Sequence, residues 1–179
     1  MTAPFATTER LILRDYRAED LAAYVALSGD PEVMRYLGGT RSAEHCAAEL
    51  QAISKQYAAI GIGILAVERK SDGAFLGICG LSHEQWYPDD LQIGWRFFRE
   101  NWGQGYATEA ALVWRDYAFE RGASRLISIS DVPNTRSHKV MQRLGMSLDH
   151  TATLEDDRET FEAHIFVLTR ENWAALGKL

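Results

Sequence analysis

The segment of this sequence best suited to chemistry is a glycine-rich turn that joins an alternating apolar run to an amphipathic helix. The turn reads Trp102-Gly-Gln-Gly-Tyr-Ala-Thr108 and opens directly into the helix. The first four N–H groups of a helix have no partner within it, and the aligned peptide dipoles add partial positive charge there. Because Gly103 and Gly105 carry no side chains, a phosphate can approach these amides closely. The segment therefore predicts a cradle for a diphosphate.

The same turn admits other interpretations. A lone Gly-x-Gly is most often a strand-to-helix connection that binds nothing. A dinucleotide-binding fingerprint begins in the same way, but Thr108 stands where that fingerprint requires Gly or Ala, and too little chain follows to complete its parallel sheet. A phosphate-loop nucleotide site is excluded, because the sequence contains no Gly-Lys-Ser or Gly-Lys-Thr.

Length and composition set the class of protein. With 179 residues the chain is long enough to bury a sizeable core, and it predicts one domain, residues 1–179. Its hydrophobic fraction of 46% and charged fraction of 25% are those of an ordinary globular protein. A net charge of −6 argues against a nucleic-acid partner, which needs a positive surface, and suits a cationic acceptor such as an amine.

The cysteines and histidines form no pattern typical of a metal site or a disulfide framework. Cys46 and Cys79 lie far apart, and the five histidines are scattered, so we expect no metal. The N-terminus lacks a charged-then-apolar signal peptide, and no apolar run is long enough to cross a membrane. We therefore expect a cytoplasmic protein with no membrane partner. The sequence leaves monomer and homodimer open.

Apolar periodicity and turn residues predict the elements that must position the turn. The predicted helices span 18–28, 42–59, 105–121 and 137–144, with a further helix entry at Asp30-Pro31. The predicted strands span 8–14, 64–69, 74–81, 91–98, 126–130, 147–154 and 161–168. This order predicts an α+β domain with a central sheet, antiparallel in its front half and parallel across the helix 105–121.

Six segments in this order carry a resemblance to a known family. They are Thr8-Glu-Arg-Leu-Ile-Leu-Arg14, Asp30-Pro-Glu-Val-Met-Arg-Tyr-Leu37, Gly77-Ile-Cys-Gly-Leu81, Gln92-Ile-Gly-Trp95, Trp102-Gly-Gln-Gly-Tyr-Ala-Thr-Glu-Ala110, and Asn134-Thr-Arg-Ser137 with Val140-Met-Gln-Arg-Leu-Gly-Met146. Together they resemble the GNAT acetyltransferase superfamily, in particular its ribosomal-protein N-terminal acetyltransferase (RimJ/RimL-type) branch. The resemblance covers essentially the whole chain.

The resemblance implies a fold and an activity. The fold is a mixed sheet of six to seven strands flanked by about four helices. The activity is transfer of an acetyl group from acetyl-coenzyme A to a primary amine, either a protein N-terminus or a small amine, by direct attack on the thioester. The alternative is a catalytically inactive domain that binds or senses acyl-coenzyme A.

The resemblance also implies which residues meet the coenzyme. The amides of 103–108 would hold its pyrophosphate, and the backbone of 97–99 would pair with its pantetheine arm as an added strand does. Asn134 would bond the pantetheine or the amine, and Ser137 would face the sulfur. The expected coenzyme-binding residues are Phe97, Phe98, Arg99, Trp102, Gly103, Gln104, Gly105, Tyr106, Ala107, Thr108, Asn134 and Ser137.

The proton acceptor is where the sequence departs from the family pattern. Gln92 stands where many relatives place Glu, and an amide cannot take a proton. At pH 7 a neutral α-amine costs about 1 kcal/mol and a neutral lysine amine about 4.6 kcal/mol, so the second needs the stronger base. His83 and Glu84 are the nearest replacements, although polar loop residues are their plainer interpretation. The candidate catalytic residues are Ser137, Asn134, His83 and Glu84.

Overall fold

The computed structural model describes residues 4–156 and 158–176 as eight strands and five α-helices. The strands are β1 (Ala6–Thr7), β2 (Leu11–Arg14), β3 (Ile64–Arg69), β4 (Phe75–Glu84), β5 (Tyr87–Phe97), β6 (Arg125–Asp131), β7 (Ser147–Glu155) and β8 (Thr160–Thr169). The helices are α1 (Asp20–Gly29), α2 (Ala43–Ile60), α3 (Tyr106–Glu120), α4 (Thr135–Arg143) and α5 (Arg170–Ala175), with a 3₁₀ turn at Arg99–Asn101. No helix in these ranges has the length and apolar content needed to span a membrane.

All eight strands belong to one sheet in the order β1-β2-β3-β4-β5-β6-β8-β7. The first strands pair antiparallel, and β5 pairs with β6 in parallel, with Leu91 opposite Leu126. The α+β class and the parallel pair across α3 are thus confirmed. At the far end β7 pairs with β8, and its register is interrupted by a bulge between Leu148 and His150.

The strand predicted over 8–14 is wrong in its first half, because a side chain competes with the strand ladder. The Thr8 amide donates to the Leu11 carbonyl at 2.9 Å, and the Leu11 amide donates to Thr8 Oγ1 at 3.0 Å. This turn leaves only Leu11–Arg14 of the predicted strand, as β2, and a separate strand β1 precedes it and pairs with it, Ala6 opposite Leu13. Strand β1 adds one to the predicted count, and Arg10 lies at the turn.

The helix entry predicted at Asp30-Pro31 forms a single turn and no helix. Asp30 Oδ1 accepts from the amides of Glu32 at 2.9 Å and Val33 at 3.3 Å, as a helix cap does. Gly38 and Gly39 follow in left-handed backbone conformations, with φ of 66° and 78°, which a continuing right-handed helix excludes.

Helix α5 was not predicted, because its six residues are too few to show a helical period. Thr169 caps it by accepting from the Asn172 amide at 3.2 Å. Trp173 stacks on Phe119 of α3, with ring centroids 5.1 Å apart.

Two compact units divide the chain. One holds the described residues up to Gly80 together with Trp95–Ala110, and the other holds Leu81–Gly94 together with the described residues from Ala111 onward. One buried apolar cluster of the first unit contains Tyr24, Leu27, Cys46, Leu50 and Ile78. One buried apolar cluster of the second contains Ile127, Leu154, Ala163, Ile165 and Val167. A single domain stays a prediction.

A buried ionic network ties three elements of the first unit together. The Arg14 guanidinium donates to both carboxylate oxygens of Asp20, at 2.6 and 2.9 Å, and to Glu68 at 2.7 Å. The three side chains are 7%, 4% and 9% exposed, so water screens these charges little. Arg14 lies on β2, Asp20 begins α1 and Glu68 lies on β3, so the network fixes α1 against the sheet.

Candidate functional site

The predicted cradle is a turn of left-handed glycines between the end of β5 and the start of α3. Gly103 and Gly105 have φ of 74° and 82°, conformations that L side chains rarely adopt, and both residues are exposed. A Cβ at Gly103 would meet open space, whereas one at Gly105 would lie 3.4 Å from the Arg10 guanidinium. Turns of this kind direct successive N–H groups to one side, where an anion can bind.

Arg10 and Glu109 hold the cradle in place, a role that the sequence analysis missed. Glu109 lies in the first turn of α3 and accepts from the Arg10 amide at 2.9 Å and from Arg10 Nε at 2.7 Å. Arg10 Nη1 donates to the Gln104 carbonyl at 3.0 Å, and its guanidinium lies 4.5 Å from the Tyr106 ring centroid. Ninety-nine residues separate the two charges, so no local pattern could have paired them.

The ionisation of Glu109 reflects this anchor. Burial alone would raise the pKa of the Glu109 carboxyl, but hydrogen bonds from Thr8 and Arg10 outweigh it, and the pKa lies below its ordinary value. The carboxylate is therefore charged, and its interaction with Arg10 persists, throughout the neutral range.

The backbone of 97–99, predicted to pair with a pantetheine arm, already has partners within the chain. The Phe97 carbonyl accepts from the Trp102 indole N–H at 2.8 Å. The Phe98 amide donates to the Leu76 carbonyl at 3.1 Å, and the Phe98 carbonyl accepts from the Asn101 amide at 3.0 Å. Pairing of this segment with a ligand stays a prediction, and it would share the Phe97 carbonyl with Trp102.

In the second unit, Asn134 caps helix α4. Its side-chain oxygen accepts from the Ser137 amide at 3.4 Å. Ser137, although its residue type is also a good cap, lies within the first turn of the helix and does not cap it. The cap uses neither the Asn134 side-chain NH₂ nor the Ser137 hydroxyl, and both groups sit at the first turn of α4.

Glu84 and Gln92 meet on the neighbouring strands β4 and β5. Glu84 Oε1 accepts from Gln92 Nε2 at 3.0 Å and from the Ser82 hydroxyl at 2.8 Å. Burial raises the pKa of the Glu84 carboxyl above its ordinary value, against the Ser82 hydrogen bond and the charge of His83. Successive strand residues face opposite sides, so His83 points away from this pair, and it is exposed. The structure thus joins Glu84, but not His83, to Gln92.

Aromatic side chains connect the two hairpins of the second unit. The Trp86 indole N–H donates to the Glu155 carbonyl at 2.9 Å, and its ring packs edge-on against Phe161 at 5.8 Å. The Tyr87 hydroxyl lies 2.9 Å from His150 Nε2. These contacts hold the β4–β5 turn, which carries Glu84, against the β7–β8 hairpin.

A separate pocket in the second unit contains none of the predicted site residues. Its lining is His138, Gln142, Met146, Ser147, Leu148, His164 and Phe166. His138 packs on Phe166 with ring centroids 5.3 Å apart, and burial lowers its pKa. Across residues 4–156 and 158–176, no three histidine, cysteine, aspartate or glutamate side chains are grouped to hold a metal ion.

The acetyltransferase (GNAT) domain family matches residues 10–147. The chain therefore belongs to the GNAT acetyltransferase family, as its motifs predicted, and its enzyme class is that of the N-acetyltransferases.

Two curated relatives match most of the chain, and the second is named an N-acetyltransferase. The protein YkkB of Bacillus subtilis (strain 168) is 32% identical over 147 residues, which cover 80% of this chain and 86% of the relative. The uncharacterized N-acetyltransferase YnaD of the same organism is 25% identical over 174 residues, which cover 93% of this chain and 98% of the relative.

Solved structures share the fold. An acetyltransferase from Agrobacterium tumefaciens C58 is 27% identical with a TM-score of 0.79, over 94% of this chain and 95% of that one. The ribosomal L7/L12 acetyltransferase RimL, solved with coenzyme A, has a TM-score of 0.75 at 14% identity. The match covers 93% of this chain and 98% of that one. Spermidine N-acetyltransferase from Vibrio cholerae, solved with coenzyme A and spermine, has a TM-score of 0.73 at 16% identity. The match covers 93% of this chain and 99% of that one. At 14% and 16% identity these last two structures show a shared fold alone, and the RimJ/RimL-type branch stays a prediction.

Proposed function

We propose that this chain transfers the acetyl group of acetyl-coenzyme A to a primary amine. The observation that carries the proposal is the exposed glycine turn at the start of α3, held by Arg10 and Glu109. Its glycines leave room for a phosphate beside helix N–H groups, and the chain belongs to a family of acetyltransferases.

The residues of the cradle fit the diphosphate of the coenzyme. The amides of 103–108 would bind its oxygens, and the positive end of the α3 dipole would stabilise their charge. When bound, the coenzyme supplies an activated thioester. Asn134 would then hold an amide of the pantetheine arm or the incoming amine through its side-chain NH₂, which the helix cap leaves unused. The Ser137 hydroxyl would donate a hydrogen bond to the coenzyme sulfur and favour departure of the thiolate.

The acceptor in this proposal is an amine that arrives with a positive charge. The net charge of −6 favours association with such a partner. A protein N-terminus and a polyamine both meet the description. Fold neighbours of each kind are known, since RimL is named for a ribosomal protein and the Vibrio cholerae enzyme for spermidine.

Coenzyme binding is tested by thermal shift with acetyl-coenzyme A, coenzyme A and NAD. A ligand that binds only the folded state at 100 times its Kd stabilises it by about 2.7 kcal/mol, so the first two should raise Tm and NAD should not. Equal stabilisation by NAD would overturn the coenzyme assignment.

Replacement of a cradle glycine separates lost binding from backbone strain. Gly105→Val should abolish the thermal shift with acetyl-coenzyme A, because a branched side chain would occupy the approach to the amides. Gly73→Val is the matched control, since Gly73 also has a positive φ, 72°, and has open space around it. The control should lose stability to strain but keep its shift. A folded Gly105→Val protein with a normal shift would refute the cradle.

Transfer itself is tested by release of free thiol from acetyl-coenzyme A in the presence of N-terminal peptides, polyamines and other small amines. Release with at least one amine is expected, and the preferred amine identifies the acceptor class. A chain that binds acetyl-coenzyme A but releases no thiol with any amine is a sensor domain, and the proposed transfer is then wrong.

A further inference from the structure

The hydrogen-bonded pair of Glu84 and Gln92 in the second unit retains two oxygen atoms with unused hydrogen-bonding capacity. Gln92 donates through Nε2 to Glu84 Oε1, while its own Oε1 is buried and has no hydrogen-bond partner among the described residues. Both donors to Glu84, Ser82 and Gln92, meet Oε1, so Oε2 receives neither of them. A buried acceptor left without a donor costs about 1–3 kcal/mol, so the Gln92 oxygen calls for a donor from outside the chain.

The chemistry of the missing donor follows from these two acceptors. One is a neutral amide oxygen and the other belongs to a carboxylate, which prefers a charged donor. A primary ammonium offers three N–H groups and one positive charge from a single nitrogen, so its chemistry suits an amide oxygen and a carboxylate oxygen together. The ring of an aromatic ligand, a phosphate or a carboxylate matches neither.

We infer that Glu84 and Gln92 together receive the acceptor amine, with Glu84 taking its proton and the Gln92 carbonyl holding a second N–H. This inference rests on the proposed acetyl transfer. Gln92 is then a positioning residue, whose Nε2 fixes one oxygen of Glu84 and whose Oε1 orients the nitrogen. Burial of the Glu84 carboxyl brings its pKa closer to neutrality, which suits a base that works near pH 7.

The step balances in protons and bonds. The ammonium gives one proton to Glu84 and becomes a neutral amine. A bond forms between its nitrogen and the acetyl carbon, and the bond between that carbon and the coenzyme sulfur breaks. The second proton lost by the nitrogen ends on the sulfur, and Glu84 returns the first to water. The products are an amide, a thiol and one proton in solution.

Four variants test the inference, each assayed by initial-rate thiol release over a range of amine concentration and pH. Glu84→Gln keeps the size of the side chain and removes the base, so kcat should fall by about 100-fold or more, the usual contribution of a general base. Gln92→Leu removes one hydrogen bond to a charged group, so the KM for the amine should rise by about tenfold, while kcat should fall by less. In the exchange variant Glu84→Gln/Gln92→Glu, a carboxylate returns to the same pair, and kcat should recover by at least tenfold over Glu84→Gln.

Glu120→Gln is the control for the loss of one carboxylate. Glu120 is exposed at the end of α3, and this variant should match the wild type. The thermal shift with acetyl-coenzyme A should be unchanged in all four variants, because none touches the cradle.

The outcomes separate this inference from the proposed function. A Glu84→Gln protein with wild-type kcat, or a loss that the exchange does not restore, overturns the inference and leaves the transfer intact. If Glu84→Gln does not fold, the pH profile of the wild type decides. If kcat falls in acid with the same apparent pKa for every amine, the result supports Glu84 as the base. If the apparent pKa changes from one amine to the next with the pKa of the amine itself, the result refutes it. A wild-type chain that is inactive with all amines removes the proposed function and this inference together.

Discussion

Asn134 shows why single residues of the site could be named from the sequence while their roles could not. The family resemblance implied that it contacts the coenzyme or the amine, and the structure places it as the cap of α4. A capping residue and a ligand-binding residue use the same atoms, so sequence alone cannot separate the two roles. The structure separates them, because the cap uses the side-chain oxygen and leaves the NH₂ group.

Replacement of Asn134 should divide these roles in an experiment. Asn134→Ser keeps a good cap without the side-chain NH₂, so stability should stay near that of the wild type while binding of acetyl-coenzyme A or turnover falls by about tenfold. Asn134→Ala should lose the same activity and, in addition, about 1 kcal/mol of stability. Urea unfolding and thiol release measure the two effects. An Asn134→Ser protein with normal binding and turnover would make Asn134 a cap only.

The pair of Glu84 and Gln92 is another case in which residue types were informative and contacts were not. From the sequence, Gln92 is an amide that cannot accept a proton, and Glu84 is one of two candidate replacements for the missing base. It could not show that the two side chains meet at 3.0 Å, because the turn between β4 and β5 fixes which residues face each other. The strands were predicted as 74–81 and 91–98, and their extension to Glu84 and back to Tyr87 creates the contact.

At the scale of elements, long periodic segments were predicted well. The helices predicted over 42–59 and 105–121 match α2 and α3 within one residue at each end, since a capping serine and flanking glycines mark them. Failures occur where a side chain redirects the backbone. Thr8 breaks the first strand by bonding Leu11, and this places Arg10 where it can reach the start of α3.

The contact between the Thr8 turn and α3 should be measurable in coenzyme binding. Arg10→Met removes the hydrogen bond to the Gln104 carbonyl and the ion pair with Glu109. Loss of one hydrogen bond to a charged group, about 1.5 kcal/mol, corresponds to about tenfold weaker binding of acetyl-coenzyme A by titration calorimetry. Arg35→Met is the control, since Arg35 is exposed and its pair with Glu32 is long, 3.8 Å. Equal affinities for both variants would show that the cradle needs no anchor.

At the scale of the whole molecule, the Arg14 network links stability to pH. Burial would raise the pKa of Asp20, but the hydrogen bonds from Arg14 and Arg17 outweigh it, and the pKa lies below its ordinary value. A carboxyl with a lowered pKa in the folded state contributes stability above its unfolded value, about 3.9. That contribution is lost as the pH falls through the folded pKa. The fold should therefore weaken in acid below about pH 4.

Removal of the arginine tests this linkage. Arg14→Met leaves Asp20 and Glu68 without their buried partner and should cost about 3–5 kcal/mol at pH 7. The difference from the wild type should shrink at pH 3, where protonation removes the charge that needs Arg14. Urea unfolding at the two pH values measures both differences, with Arg35→Met expected within about 0.5 kcal/mol of the wild type. A cost that does not change with pH would mean that Arg14 acts through packing alone.

The bulge in β7 bears on how this protein behaves at high concentration. A strand at the end of a sheet carries a row of backbone groups that can recruit a strand from another molecule, which is a common route to aggregation. The break in register between Leu148 and His150 interrupts that row. Seven of the nine residues of β7 are exposed. Four of these carry acidic or hydroxyl side chains and lie at the bulge or after it: Asp149, Thr151, Thr153 and Glu155. We therefore expect little intermolecular strand addition at this edge of the sheet, even in a concentrated solution of the protein.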